Sequence, residues 1–193
     1  MAFNNTFTAV VGATYTASQY NTYVRDNFTA IWVGTTAGDI DYYTSSSAKT
    51  RVAIGANGYY LESNGSAPQW TQMRRAMGFL LNTDVALTVG DDAFRFRIPG
   101  LLSGWNIVSV SACRKSGTGV PAFQIRNVTD SVDVLSTKLT IDSGETDSGS
   151  AATPAVIDTT KDDVAGGDQF AIDVDVAGTS TLFAYVEIVF AKP

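Results

Sequence analysis

Residues 34–70 read GTTAGDIDYYTSSSAKTRVAIGANGYYLESNGSAPQW. Gly34, Gly38, Gly55, Gly58 and Gly65 cut the stretch into short runs, DIDYY, TRVAI, YYLES and a last one, PQWTQ, that continues to residue 72. Each run has the length of one short strand. The segment therefore has turn chemistry and strand chemistry but little apolar mass, and below about 40 residues a unit of this kind needs a metal, disulfides or association with other chains. It contains neither Cys nor His. Copies of itself are the expected partners.

Two signals lie before it. Residues 1 to about 15 are rich in Asn, Thr, Ala and Val, carry no charged side chain, and read as an extended arm that becomes ordered by docking on a neighbour. Thr16 to Val33 is the one helical pattern, opened by a capping box in which Thr16 is the N-cap and Gln19 reaches back, and closed by Gly34. Tyr20, Tyr23, Val24, Phe28, Ile31 and Trp32 fall on one stripe at helical spacing. That stripe must be buried, either on the chain's own sheet or against copies of itself or another protein. Both readings stay open at this point.

After the transition MRRAMGFLL (73–81) the pattern changes to longer alternating strands. In FRFRI, Phe94, Phe96 and Ile98 point one way and Arg95 and Arg97 the other; in WNIVSVSAC, Val108, Val110 and Ala112 share a face. AFQIRNV, DVLSTKLTI and FAIDVDV continue the alternation, with Phe170, Ile172, Val174 and Val176 set against Asp173 and Asp175. Turn signals (KSGTG, NVTDS, DSGETDSGS, AGGD) separate them. This predicts an antiparallel β-sandwich of about eight strands, jelly-roll-like. The last strand, TLFAYVEIVF, is apolar on both faces, which places it at the centre of a sheet or at a subunit interface.

Composition narrows the function. The 193 residues carry 13 Lys and Arg against 19 Asp and Glu, a net charge of −6, and no basic cluster exceeds Arg74–Arg75 or Arg114–Lys115. Nucleic acid is therefore not an expected partner. No apolar run is long enough for a membrane span and no basic n-region opens the chain, so membrane insertion and a signal peptide are not expected, and synthesis is expected in the cytoplasm. Cys113 is the only cysteine, which excludes an internal disulfide and reads as a small apolar side chain in a sheet. The absence of His removes Ser/His/Asp and Cys/His nucleophilic sites and imidazole–zinc sites.

Carboxylates are the remaining candidates for chemistry. Asp173 and Asp175 fall on one strand face about 7 Å apart, a separation that glycosidase carboxylates use, although two carboxylates on the outer face of a half-buried strand ordinarily form a solvated surface. DSGETDSGS lacks the order of an EF-hand loop, and GANG and AGGD are turns, not phosphate cradles. No catalytic, cofactor-binding or metal-ligating residue is assigned. Tyr42, Tyr43, Tyr59, Tyr60 and Trp70 concentrate in the 34–70 segment, where packing between copies is preferred to a sugar platform.

The motifs GDIDYY and RVAIGANGYYLESNGSAPQW resemble the short repeat of tailed-bacteriophage fibre proteins, and QIRNVTDSVDVLSTKLTIDSGETDSGSAATPAVIDTTKDDVAGGDQFAIDVD is similar to a β-sandwich domain of phage virion proteins. ATYTASQYN and the helix after it resemble the attachment region of such proteins. The resemblance implies a non-enzymatic component of the virion, a homotrimer anchored by its N-terminus on other virion proteins of capsid or tail. A single repeat copy fits a short fibre, spike or decoration better than a long fibre. The expected organisation is an anchoring arm and helix (1–33), a short intertwined trimeric β stem (34–72) and a β-sandwich head (73–193). Phe3, Phe7, Val10 and Val11 are the expected anchoring residues. Tyr20, Val24, Phe28, Ile31, Trp32, Tyr42, Tyr59 and Trp70 are the expected trimer interface. Two other readings stay open: a lectin-like head that recognises a host surface glycan, for which the loop RKSGTG (114–119) is a candidate, and a small glycan depolymerase.

Overall fold

The computed structural model describes residues 12, 14–31, 33–46 and 48–193. Phe3, Phe7, Val10, Val11 and Trp32 lie outside the described residues. The chain divides into two compact units, Met1–Thr71 and Gln72–Pro193. Its described residues are mainly β, with antiparallel pairing throughout, one short helical region before the strands and a 3-10 turn at Gly100–Leu102.

In the first unit the capping box forms as its residues require. Gln19 N–H donates to Thr16 Oγ1 at 3.2 Å, and Thr16 N–H donates to Gln19 Oε1 at 3.0 Å. The helix that follows is not uniform: α1 (Ala17–Tyr20) passes through a π-helical segment (Asn21–Arg25) into α2 (Asp26–Ile31). The wider turn shifts the phase of the side chains, so the expected stripe does not form one buried line. Tyr20, Phe28 and Ile31 are exposed, and the one buried side chain among those described in the helix is Asn27, whose amide Nδ2 donates to Tyr23 O at 2.9 Å. Two hairpins follow, β1 (Ile40–Ser45) with β2 (Ala48–Val52), and β3 (Tyr59–Ser63) with β4 (Pro68–Gln72).

The second unit contains β5 (Arg74–Leu80), β6 (Gly90–Arg97), β7 (Trp105–Cys113), β8 (Ser116–Thr118), β9 (Ala122–Asn127) and β10 (Val132–Asp133). It continues with β11 (Leu135–Thr137), β12 (Leu139–Thr140), β13 (Val156–Ile157), β14 (Asp163–Val164), β15 (Gln169–Val176), β16 (Thr179–Leu182) and β17 (Tyr185–Ala191). One sheet has the order β10-β9-β15-β6, with β12 also paired to β9; the other has the order β14-β7-β17-β5. Their inner faces meet in a single core of Phe123 and Ile125 from β9, Phe170 and Ile172 from β15, Ile107 from β7, and Val186, Ile188 and Phe190 from β17. Each such side chain contributes about 1.5–3 kcal/mol of burial. Phe79, Phe96 and Phe170 form a stack across it, with ring centroids 4.3 and 5.8 Å apart.

Three strands depart from the alternation read in the sequence. In β7 the partner register jumps from Ser109 opposite Val189 to Ile107 opposite Phe190, leaving Val108 as the extra residue of a bulge. Val108 is therefore exposed, while Trp105, Ile107 and Ala112 are buried and Val110 packs on the core. DVLSTKLTI breaks into β11 and β12, which pair with β13 and β9 respectively. TLFAYVEIVF is also two strands: Phe183 takes a φ of 52°, Leu182 belongs to β16 beside β8, and β17 begins at Tyr185. β17 lies between β7 and β5, with Val186, Ile188 and Phe190 fully buried and Tyr185, Glu187 and Val189 half-buried on the other face.

Candidate functional site

Asp39 organises the first unit. Its carboxylate accepts the N–H groups of Thr35 and Thr36 at 2.9 Å and of Ile54 at 3.1 Å, and pairs with Arg51 at 2.6 Å. One side chain thereby ties the loop after the helix to the end of β2. The Thr35 N–H, then Arg51 and the other two amides, outweigh the cost of desolvation and hold the Asp39 carboxyl at about 2. Gly38, at φ 92°, lies so close to Ile54 that a Cβ would sit 2.5 Å from Ile54 Cδ1. Gly55 is covered by the Trp70 ring, and the Trp70 indole donates to Ala53 O at 2.7 Å. The residues of the GD, IG and APxW motifs thus form one contiguous set of contacts.

These contacts are polar or place a glycine against a single side chain, and they bury little. Among the described residues of Met1–Thr71 no hydrophobic side chain is buried. Tyr20, Phe28 (63% exposed), Ile31 and Tyr59 are exposed, together with Ile40, Tyr43 (68%), Ile54, Tyr60 and Leu61; Val24 and Tyr42 are half-buried. Trp70 is half-buried, over Gly55 and bonded to Ala53 O. Of the two open readings of the helix stripe, burial on the chain's own sheet is not seen at Tyr20, Phe28 and Ile31, which are exposed.

In the second unit the Asp173/Asp175 pair is not a solvated face. Asp173 is 5% exposed and is bound in a fork by Arg126, Nε to Oδ2 at 2.6 Å and Nη2 to Oδ1 at 2.9 Å. Asp92, at φ 55°, turns its own N–H onto Asp173 Oδ1 at 2.7 Å. Burial alone would raise the Asp173 pKa, but the Arg126 bonds and the Asp92 amide outweigh it and hold the carboxyl below the usual range. Arg126 also faces Asp92 at 3.3 Å, and Asp92 pairs with Arg95. Asp175 pairs separately with Lys138 at 3.1 Å. A carboxylate held in this way has no proton to donate near neutral pH, and both of its oxygens already accept hydrogen bonds.

The loop RKSGTG has a different role from a plain surface loop. Arg114 is 4% exposed and donates to three backbone carbonyls, Glu145 O and Asp142 O at 3.0 Å and Gly119 O at 3.2 Å. Among the described residues no carboxylate pairs with it. The acidic loop DSGETDSGS is held from below by this guanidinium, while Asp142 accepts from Ala152 N–H and Asp147 from Gly149 N–H. Cys113, expected as a packed apolar side chain, is exposed at the end of β7. Lys115 lies over the Phe183 ring at 4.7 Å.

Among the described residues no three His, Cys, Asp or Glu side chains cluster as metal ligands, and no helix is long and apolar enough to cross a membrane. No family model, no curated protein and no solved structure matches this chain.

Proposed function

We propose that this chain is a non-enzymatic structural protein of a tailed-bacteriophage virion: a short homotrimeric fibre, spike or capsid decoration. Its N-terminal region docks on other virion proteins and its sandwich head faces outward. One observation carries the association part of this reading: the unit spanning Met1–Thr71 has no buried hydrophobic side chain among its described residues, while large apolar side chains stand exposed along its helix and both hairpins. A unit with that balance gains its missing burial from neighbouring copies. The number three and the phage context rest on the resemblance of GDIDYY and RVAIGANGYYLESNGSAPQW to fibre repeats. The Arg126 fork on Asp173 supports the non-enzymatic reading, because the strongest carboxylate candidate is engaged as a structural ion pair. Native against denaturing mass measurement of the full chain tests the trimer, and reconstruction of a particle that locates the N-terminal region tests the docking.

A further inference from the structure

The outer face of the β14-β7-β17-β5 sheet is not flat. Where β7 ends and β17 begins, the loop Asp147–Gly149 borders a shallow cleft of about 260 Å³, lined also by Ser111, Cys113, Tyr185 and Glu187. Its volume lies just below the range of about 300–1,000 Å³ for small-molecule sites, which limits an occupant to about one small ring.

Two devices fix the walls of the cleft in advance. The first is Arg114, whose buried guanidinium holds the carbonyls of Asp142 and Glu145; Ser148 then ties the loop to β7, its N–H donating to Ala112 O and its Oγ accepting from Ala112 N–H, both at 2.9 Å. Burying a cation with no carboxylate partner among the described residues costs hydration, and here the return is a loop tied at two of its carbonyls. The second is Gly78 in β5. A Cβ there would sit 1.7 Å from Tyr185 Oη and 2.4 Å from Cζ, so the tyrosine lies across the neighbouring strand in the space a side chain would fill. The hydroxyl end of the ring is thereby held against β5, and Tyr185 remains half-exposed. A prepared wall and a prepared ring lower the ordering cost of binding.

The polar groups define the ligand. Glu187 follows Tyr185 on the same face of β17, half-exposed and with no hydrogen-bond or ion-pair partner for its carboxylate among the described residues. The Ser111 hydroxyl stands exposed across from it, since Ser111 and Glu187 are register partners on β7 and β17. No cation lines the cleft, whereas Asp147 and Glu187 both do. An aromatic plane beside a free acceptor carboxylate and a hydroxyl suits a polyhydroxylated ring, with C–H groups on the tyrosine and O–H groups donating to Glu187. Two carboxylates and no cation repel an anionic ligand.

We propose that this cleft binds one non-acidic hexopyranose unit, neutral or amine-bearing, of a surface polysaccharide, with Tyr185 as the platform and Glu187 as the principal acceptor. The proposal rests on the reading of the head as the outward, adhesive part of the protein. The test is ligand-observed NMR titration of the full chain with the methyl glycosides of glucose, galactose, N-acetylglucosamine and glucosamine, with glucuronic acid as the anionic comparison. At least one non-acidic glycoside is expected to bind and glucuronic acid is not. Glu187→Gln and Tyr185→Leu are each expected to weaken binding by about tenfold or more, and Asp84→Asn, outside the cleft, to leave it unchanged. Where Tyr185→Leu fails to fold, Glu187→Gln alone decides. Absence of binding by every non-acidic glycoside, preferential binding of glucuronic acid, or binding that survives Glu187→Gln overturns the proposal. Native mass on the same samples separates the two readings: a trimer that binds no glycoside removes the cleft assignment alone, and a monomer removes the trimeric reading.

Discussion

The indole of Trp70 lies on Gly55 at a distance that admits no side chain: a methyl group on residue 55 would come within 2.4 Å of Trp70 Cδ2. Gly55 sits just after β2 and Trp70 lies in β4, so this contact joins the two hairpins of the first unit, and the indole N–H bond to Ala53 O fixes its angle. Where no described hydrophobic side chain of the unit is buried, such a contact carries a large share of the internal order.

Gly55→Ala is accordingly expected to destabilise the first unit by about 1–3 kcal/mol, the cost of overpacking a site whose neighbour is a ring that cannot move without losing its hydrogen bond. Gly90→Ala, where an added methyl meets nothing within 4 Å, is the comparison and is expected to be close to neutral. Thermal unfolding followed by circular dichroism distinguishes the two.

The Arg126–Asp173 fork predicts a sharper effect in the head. Arg126→Met leaves a carboxylate that is 5% exposed with only the Asp92 amide as partner, and is expected to cost about 3 kcal/mol. Replacing both partners by apolar residues, Arg126→Met with Asp173→Leu, is expected to recover part of that loss, because the larger penalty comes from the unpaired charge. Denaturant midpoints of the single and double variants check the order.

Arg114→Met is expected to release the loop 142–149 and leave the sandwich standing. Hydrogen exchange at Ser148, whose amide donates to Ala112 O, is expected to accelerate by about tenfold or more, while the amides of Ile172 and Ile188 in the central strands are unchanged. Equal acceleration at all three positions would mean that Arg114 supports the whole head.

Stability is expected to be flat between pH 5 and 8 and to fall below pH 4. The chain has no His to titrate in the upper range. Asp39 is held at about 2 against an ordinary 3.8, first by the Thr35 N–H, and Asp158 at about 2 by the Thr160 hydroxyl and amide and by Lys161. A carboxyl whose pKa is depressed in the folded state binds its proton later than in the unfolded chain. Its contribution is therefore complete above about pH 4 and is lost as the pH falls toward 2. Asp39→Asn is expected to reduce the acid dependence of the first unit, as read by melting temperature against pH.

Much of this architecture was legible in the order of residues. The Thr16–Gln19 capping box, the antiparallel sandwich after residue 73 and the alternation in FRFRI depend on local chemistry or on a period of two, and both are written along the chain. The π-helical turn at Asn21–Arg25, the bulge at Val108 and the break at Phe183 are local irregularities that the hydrophobic period does not mark, and in a strand one extra residue moves every following side chain to the other face. Asp173 read as a surface carboxylate because its partner Arg126 lies 47 positions away on a strand whose neighbour the alternation does not reveal. Arg114 read as a loop charge for the same reason. Asp39 carried a signal that could have been used: an Asp directly after Gly38 and before a strand is a common turn organiser whose carboxylate accepts nearby amides. The Gly78–Tyr185 contact had none, since a glycine in an alternating strand gives no indication of which ring covers it.

The central claim is that the first unit obtains its burial from copies of itself. Native mass spectrometry of the full chain, set against its denatured mass, tests this most directly. The account predicts a species of three chains that dissociates when Phe28 and Tyr43, both largely exposed in the single chain, are replaced together by Asp. A stable, folded single-chain species would contradict it.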